Sequence, residues 1–218
     1  QSNLYVHDTG LINRPIKFGG SFDIQYQYSF NAPHTGNTNA SGATAGTAAA
    51  TSASPDFRTF GGGNFNSFQV SQVDIYLDAT AQEKGQAGFR VDWNLGRDAA
   101  NAGYTLTTFS TASTTGTVNT GLQQAYIDYL ADVGNGVRFK LGKMVTCFGY
   151  EVIEGADNWN VTRAFNFERA IPFTHTGLSV EYQWNEKLFT MFMVVNDLFQ
   201  GDPGLDANFN KDVMFQTK

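Results

Sequence analysis

Apolar and polar residues alternate one by one along several stretches of the chain. The longest stretch follows Gly20 and has a large apolar side chain at every second position: Phe22, Ile24, Tyr26, Tyr28 and Phe30. Strict alternation puts successive side chains on opposite faces of an extended chain, so it predicts a β-strand with one apolar and one polar face. The same pattern marks 87–95, 137–141 and 178–184, and less regular copies cover 72–77 and 124–129. The run 188–196 is apolar on both faces, and an eighth strand is predicted to start near Asn208.

The links between these strands alternate in length. Long links are predicted at 31–63, 97–120, 144–176 and 197–207, and short ones at 80–85, 132–136 and 185–187. Successive links lie at opposite ends of an antiparallel sheet, so all long links share one end. Short turns at one end and long loops at the other are typical of outer-membrane barrels. We therefore predict an all-β, antiparallel, up-and-down transmembrane β-barrel in which residues 1–218 form a single domain.

Composition and charge narrow the function classes. The chain has 218 residues and a net charge of -6, without the cluster of Lys and Arg that phosphate binding requires, so we predict no nucleic-acid partner. The single cysteine, Cys147, is interpreted as a small apolar side chain. No run reaches the roughly 18 apolar residues of a membrane helix, which excludes helical spans but leaves barrel strands open.

Alternation alone does not decide what the apolar face contacts, because a soluble barrel has the same pattern. Strand length favours the membrane, since about 9 to 11 residues are needed to cross a bilayer at a tilt. Aromatic residues near strand ends would suit interfacial girdles. A soluble β-rich binding protein remains the alternative reading.

Residues 142–182 carry a family resemblance. The run GKMVTCFGYEVIEGADNWNVTRAFNFERAIPFTHTGLSVEY is similar to the signature region of the OmpL-like β-barrel porins, with its EVIE, DNWN and IPFTHTG segments. Downstream, MVVNDLFQGDPGLDANFNKD resembles the family's strand and Asp/Asn-rich loop more loosely. The resemblance implies an outer-membrane channel of a Gram-negative bacterium, through which small hydrophilic solutes or ions diffuse. Its partners would be the lipid bilayer and those solutes, and trimers are common among porins.

Length is where the chain departs from this resemblance. The resemblance implies a chain about twice as long, with about 16 strands, because 16–18 strands enclose an aqueous channel whereas eight leave an interior filled by side chains. We therefore predict that the sequence is the N-terminal part of a larger barrel, incomplete at its C-terminus.

The candidate site residues fall into two groups. The long link 144–176 is predicted to fold inward and narrow the channel, with acidic side chains facing arginines, since charged rings set ion selectivity. Its candidates are Glu151, Glu154, Asp157, Arg163, Glu168 and Arg169. The predicted lumen-facing charges on the strands are Asp23, Asp74, Asp78, Arg90, Asp92, Asp128, Arg138, Lys140 and Glu181, six acidic and three basic. This balance predicts a mild preference for cations. The alternative for the link is an outer loop with solvated charges.

Two other chemistries are weighed against the channel. His175 and Ser179, or the carboxylates Glu151, Glu154 and Asp157, could indicate an outer-membrane hydrolase, but four residues along a strand separate two side chains by more than about 10 Å. The calcium-loop spacing of Asp206, Asn208, Asn210 and Asp212 lacks the glycine and the final glutamate of an EF-hand. We therefore predict no enzyme activity, no metal site and no cofactor.

Overall fold

The computed structural model describes residues 4–6, 15–27, 67–96, 98–99, 120–160, 162–198 and 210–218. These residues form one nine-stranded sheet, in which each strand pairs antiparallel with its neighbour in sequence. The strands are β1 Leu4–Val6, β2 Ile16–Gln27, β3 Ser67–Asp78, β4 Ala87–Leu95, β5 Thr120–Ala131, β6 Val137–Val145, β7 Thr174–Asn185, β8 Leu188–Val195 and β9 Asp212–Thr217.

The predicted all-β, antiparallel, up-and-down arrangement is confirmed. The difference is one additional strand, β1, whose three residues are too few for alternation to be visible. Within the described residues, β1 and β9 are the two edges of the sheet. The described strands therefore form an open sheet.

The two faces of the sheet show the reverse of the burial found in a soluble protein. One side, here called the apolar face, carries large side chains that remain exposed, including Phe22 at 75%, Ile24, Ile127, Leu141 and Phe215. The other side, the polar face, holds buried Gln72, Asp74, Asp92, Asn94, Asp128 and Ser179. A soluble domain buries its apolar side chains and exposes its charges. The inverted pattern is typical of a barrel whose outer surface contacts lipid.

Two bulges modify the polar face. Asp23 pairs with Gln72 and the next residue, Ile24, pairs with Val70, so Ser71 is the extra residue of β3. In β5 the extra residue is Gln123, at the register shift beside Trp93. A bulge re-aims side chains locally, and at both sites two successive residues are buried on the polar side.

The links between strands differ in structure as well as length. Residues 79–86, 132–136 and 186–187 connect β3–β4, β5–β6 and β7–β8. The predicted link 144–176 is shorter at both ends, because β6 continues to Val145 and β7 begins at Thr174; we call residues 146–173 the inward segment. It contains a 3₁₀ turn, Gly155–Asp157, and a short helix, α1 Phe165–Ala170.

The other three long links fall largely or wholly outside the described residues. The predicted link 31–63 does so completely, as do most of 97–120 and 197–207. In the described ranges, no helix has the length and apolar character needed for a membrane span.

Candidate channel constriction

The inward segment is attached to the polar face through its residues 153–155. The side-chain amide of Gln72 donates to the Ile153 carbonyl (3.2 Å) and its Oε1 accepts from the Gly155 N–H (2.7 Å). On β5, the Gln123 amide donates to Glu154 Oε1 at 2.5 Å. Two glutamines from strands β3 and β5 thus hold three consecutive residues of a link that starts at β6.

Glycine is needed where the segment meets the wall. A Cβ added at Gly155 would lie 2.7 Å from Asp23 Oδ2 and 3.3 Å from Gln72 Oε1. Both distances are shorter than ordinary van der Waals contact. The absent side chain therefore permits the backbone to approach Gln72 closely enough for a hydrogen bond.

The inward segment has a small apolar core of its own. Ile153 and Phe167 are buried together, and Val145 and Phe173 pack against them. The Phe167 and Phe173 rings are 5.1 Å apart, within the range of favourable aromatic pairs. The segment is therefore a packed structure with a defined shape.

Arg163 anchors the segment from within, which corrects its predicted role. It is only 2% exposed, and its guanidinium donates to the Ile153 carbonyl and to Asp98 Oδ2 (3.2 Å). Its backbone has φ of 45°, an unusual conformation for a residue other than glycine. The sequence predicted an arginine facing acids across a channel, whereas the structure buries it against Asp98.

The remaining five predicted constriction residues occupy different environments. Glu154 lies against Gln123 on the strand wall, whereas the Glu151 carboxylate accepts hydrogen bonds from the Ala164 N–H at 2.9 and 3.0 Å. Asp157 is exposed in the 3₁₀ turn. Glu168 and Arg169 belong to α1. Glu154 is thus the acid of this group that the structure brings to the polar face.

The nine strand charges all lie on the polar face, buried or half-buried. Each of the three basic residues has an acidic neighbour: Arg90 Nε is 2.9 Å from Asp92, Lys140 Nζ is 2.6 Å from Glu181, and Arg138 contacts Asp128. Arg90 is also 3.9 Å from Asp78.

Asp74 and Asp23 differ from these paired acids in their hydrogen bonds. Asp74 accepts hydrogen bonds from Ser21 (3.1 Å) and Gln72 (3.4 Å). Within the described residues, the buried Oδ2 of Asp23 has no hydrogen-bond partner. Together with Glu154, these side chains form a cluster of carboxyl groups around Gln72.

Glu154 has a perturbed acidity. Burial raises the pKa of the Glu154 carboxyl, and the negative charge of Asp92 raises it further. Hydrogen bonds from its own backbone and from Gln123 lower the pKa, as does the positive charge of Arg90. Desolvation is the largest of these effects. Attachment of the segment therefore favours the protonated carboxyl.

The chain's four methionines line another part of the polar face. Met144, Met193 and Met214 are buried with Val195, and Met191, Tyr126, Cys147 and Leu198 pack against them. This fixes the facing of β8, which the sequence left open: Met191, Met193 and Val195 lie on the polar side. Burial raises the pKa of the Cys147 thiol, which agrees with its interpretation as an apolar side chain.

The residues considered for other chemistries have separate partners. The His175 ring contacts Thr146 Oγ1 (3.1 Å) and the Asp197 carbonyl (3.3 Å), whereas the Ser179 hydroxyl donates to Glu181 at 3.3 Å. Of the calcium-loop candidates, Asp206 and Asn208 lie outside the described residues. Asp212 Oδ2 accepts a hydrogen bond from the Leu198 N–H (2.9 Å).

The sequence reasoning missed the two wall glutamines. Gln72 and Gln123 are uncharged; Gln72 begins the less regular pattern 72–77, and Gln123 directly precedes the other one, 124–129. Each lies at a bulge, next to the extra residue Ser71 in β3 and as the extra residue itself in β5.

An up-and-down sheet with an exposed apolar face and a polar face is typical of outer-membrane β-barrel proteins. The chain belongs to the family described as "Putative beta-barrel porin-2, OmpL-like", whose family model matches residues 15–218. The comparison with curated proteins returned no match, and neither did the comparison with solved structures.

Proposed function

We propose that this chain forms the wall of an aqueous channel in the bacterial outer membrane, through which small hydrophilic solutes or ions diffuse. The observation that carries the proposal is the inverted burial of the sheet, with exposed Phe22 on one face and buried Asp92 on the other. Lipid would cover the apolar face, because large exposed apolar surfaces are unfavourable in water. Water and solutes would occupy the space bounded by the polar face.

The inward segment would narrow this space. Its attachment to Gln72 and Gln123 crosses the polar face, and its core of Ile153 and Phe167 gives it a defined shape. The carboxyl groups around Gln72 would then lie at the constriction and carry negative charge when they are ionised. Because charged groups at a constriction select ions by sign, the channel would favour cations.

The proposed channel also needs a closed wall. In lipid every backbone N–H and C=O must be paired, so the open edges at β1 and β9 would each require a partner strand. The inward segment needs a wider interior than eight strands provide, since that number leaves room only for side chains. We propose that further strands close the barrel, and the intact mass of the native protein measures whether the chain continues.

Reconstitution into planar lipid bilayers tests the function. The native protein, extracted from outer membranes with detergent, is expected to produce stepwise ion conductance. Under a salt gradient its permeability to K⁺ should exceed its permeability to Cl⁻. It should also migrate differently on gels before and after boiling, as a folded barrel does. Absence of conductance from a folded, inserted protein would contradict the channel, and release from cells without detergent would favour the soluble alternative.

A further inference from the structure

Two aromatic side chains on the inward segment are more exposed than any other large apolar residue in the described part of the chain. Trp159 is 87% exposed and Tyr150 is 83% exposed, both exceeding the residues of the apolar face. The Trp159 indole N–H donates to the Tyr150 hydroxyl at 3.3 Å, which links the two side chains. We call this pair the aromatic platform.

The backbone that carries the aromatic platform is fixed without help from the rings. The Asn158 side chain accepts from the Val152 N–H (2.9 Å) and donates to the carbonyls of Val152 (2.7 Å) and Glu154 (2.8 Å). Glu151, next to Tyr150, caps the Ala164 N–H. The segment core of Ile153 and Phe167 uses neither platform ring. Two large aromatic rings are thus displayed on a preorganised frame, a condition that lowers the entropic cost of binding.

The aromatic platform is near the polar face of the sheet. Trp159 follows Gly155 by four residues, and Gly155 is bonded to Gln72 on β3. A chain extends at most about 3.6 Å per residue, so the Trp159 backbone lies within roughly 14 Å of that attachment point. The exposed polar residues Asp157 and Asn160 flank the tryptophan. The aromatic platform therefore has polar neighbours and lies close to the polar face.

We propose that the aromatic platform binds saccharides as they enter the channel, an inference that rests on the proposed channel function. A solute of an aqueous channel must be hydrophilic, yet a flat aromatic surface favours a ligand with an apolar face. A sugar ring satisfies both conditions, because its C–H face can stack on Trp159 and Tyr150 while its hydroxyls bond to Asp157, Asn160 and water. Its binding would concentrate saccharides at the constriction.

Current measurements with a defined oligosaccharide test the platform in the assembled channel. Maltohexaose added to one side of a bilayer is expected to interrupt the ion current of the wild-type protein in a concentration-dependent way. Trp159→Ala should raise the half-blocking concentration roughly tenfold or more, about 1.4 kcal/mol. Trp184→Ala is the matched control, because Trp184 is also exposed and its indole also donates to a hydroxyl, that of Thr190 at 3.0 Å. Its half-blocking concentration should stay within about twofold of wild type.

A fluorescence measurement separates failure of the platform from failure of the channel. Residues 1–218 contain three tryptophans, so Trp93→Phe and Trp184→Phe, together with Phe in place of any tryptophan outside this range, leave Trp159 as the only indole emitter. Maltohexaose should shift or quench its emission in detergent, whether or not the protein conducts ions. Conductance without any sugar effect on current or emission would overturn the platform and leave the channel intact, whereas a sugar response without conductance would refute the channel alone.

The competing occupant is the membrane, because tryptophan and tyrosine also lie at lipid interfaces. Brominated phosphatidylcholine quenches indole emission on contact. In the same variant reconstituted into brominated vesicles, Trp159 should keep its emission, whereas a variant that retains only Trp93, on the apolar face, should lose it. Strong quenching of Trp159 would place the ring in lipid and overturn saccharide binding.

Discussion

The backbone N–H of Gly155 donates a 2.7 Å hydrogen bond to the side chain of Gln72, a residue 83 positions earlier in the chain. The same glutamine donates to Ile153, so a single side chain satisfies two backbone groups of the inward segment. Buried backbone groups are costly when unpaired. The position of the inward segment on the polar face therefore depends on an uncharged residue of strand β3.

Replacing this glutamine should loosen the constriction. Gln72→Ala removes both hydrogen bonds and leaves two backbone groups of the segment without a protein partner. Each group that stays unpaired would cost about 1–3 kcal/mol. We expect larger and noisier single-channel conductance than in the wild type. Gln82→Ala is the control, because Gln82 is exposed in the β3–β4 link and bonds only locally. Equal conductance in the two variants would mean that the segment does not limit the current.

Glu154 should make the constriction sensitive to pH. Its pKa is raised in the folded protein, so attachment of the segment is most stable when the carboxyl is protonated and loses stability as pH rises through the folded pKa. Cation conductance should therefore increase from about pH 4 upward, both because the segment loosens and because Glu154 becomes negative.

The matched variant is Glu154→Gln, which can still accept the hydrogen bond from Gln123 but cannot titrate. Its conductance should change less with pH than that of the wild type. Glu186→Gln, in the exposed β7–β8 link, should keep the wild-type profile. An unchanged pH profile in Glu154→Gln would assign the effect to another group.

The acids around Gln72 should determine ion selectivity. Asp74 is bonded to the neutral side chains of Ser21 and Gln72, whereas Asp128 is paired with Arg138. At alkaline pH, where the carboxyls are ionised, Asp74→Asn should thus reduce the preference for cations, seen as a reversal potential closer to zero under a salt gradient. Asp132→Asn, in the exposed β5–β6 link, should leave that potential nearly unchanged. Anion preference in the wild type would refute the proposed charge balance.

The apolar face should tolerate lipid-like side chains but not charge. Phe22 is 75% exposed and stands in the middle of β2. Phe22→Arg should lower the free energy of unfolding in lipid vesicles by up to about 2–4 kcal/mol, the cost of a cation near the bilayer midplane. Phe22→Leu should lower that free energy far less, because leucine is also an apolar side chain. Urea titrations of both variants in vesicles provide the measurement, and equal stabilities would argue against lipid contact at this position.

Much of the sheet could be predicted because alternation is a local property. Strand β4 has the predicted bounds Ala87–Leu95, where no bulge residue of its own interrupts the period. The two less regular patterns belong to β3 and β5, whose extra residues Ser71 and Gln123 shift the parity of the chain. In the sequence of one strand a bulge only interrupts the alternation. It can be recognised as a bulge only when the pairing with the neighbouring strand is known.

The constriction was less predictable, since its contacts join distant parts of the chain. That residues 144–176 fold inward could be proposed from their missing period, but the contact of Gln123 with Glu154 joins residues 31 positions apart, which no local pattern encodes. Charge was a poor guide to orientation here. Arg163 carries a full charge and is nevertheless buried, because Asp98 and the Ile153 carbonyl receive its guanidinium.

The Arg163–Asp98 pair should stabilise the inward segment much more than a surface ion pair would. Both side chains are fully buried, and their atoms are 3.2 Å apart. Arg163→Met should lower the free energy of unfolding by about 3–5 kcal/mol, because it leaves the Asp98 carboxylate buried without its guanidinium partner. The exposed pair of Lys84 and Asp132 offers the comparison, and Lys84→Ala should cost about 0–1 kcal/mol.

A double-mutant cycle distinguishes a paired charge from simple loss of packing. Arg163→Met and Asp98→Ala should each destabilise the protein, whereas the double variant should be less destabilised than the sum, since no unpaired charge remains. The readout is urea unfolding in vesicles together with the conductance noise of each variant. Additive single effects would mean that the two side chains contribute independently, and that the segment is held chiefly by Gln72 and Gln123.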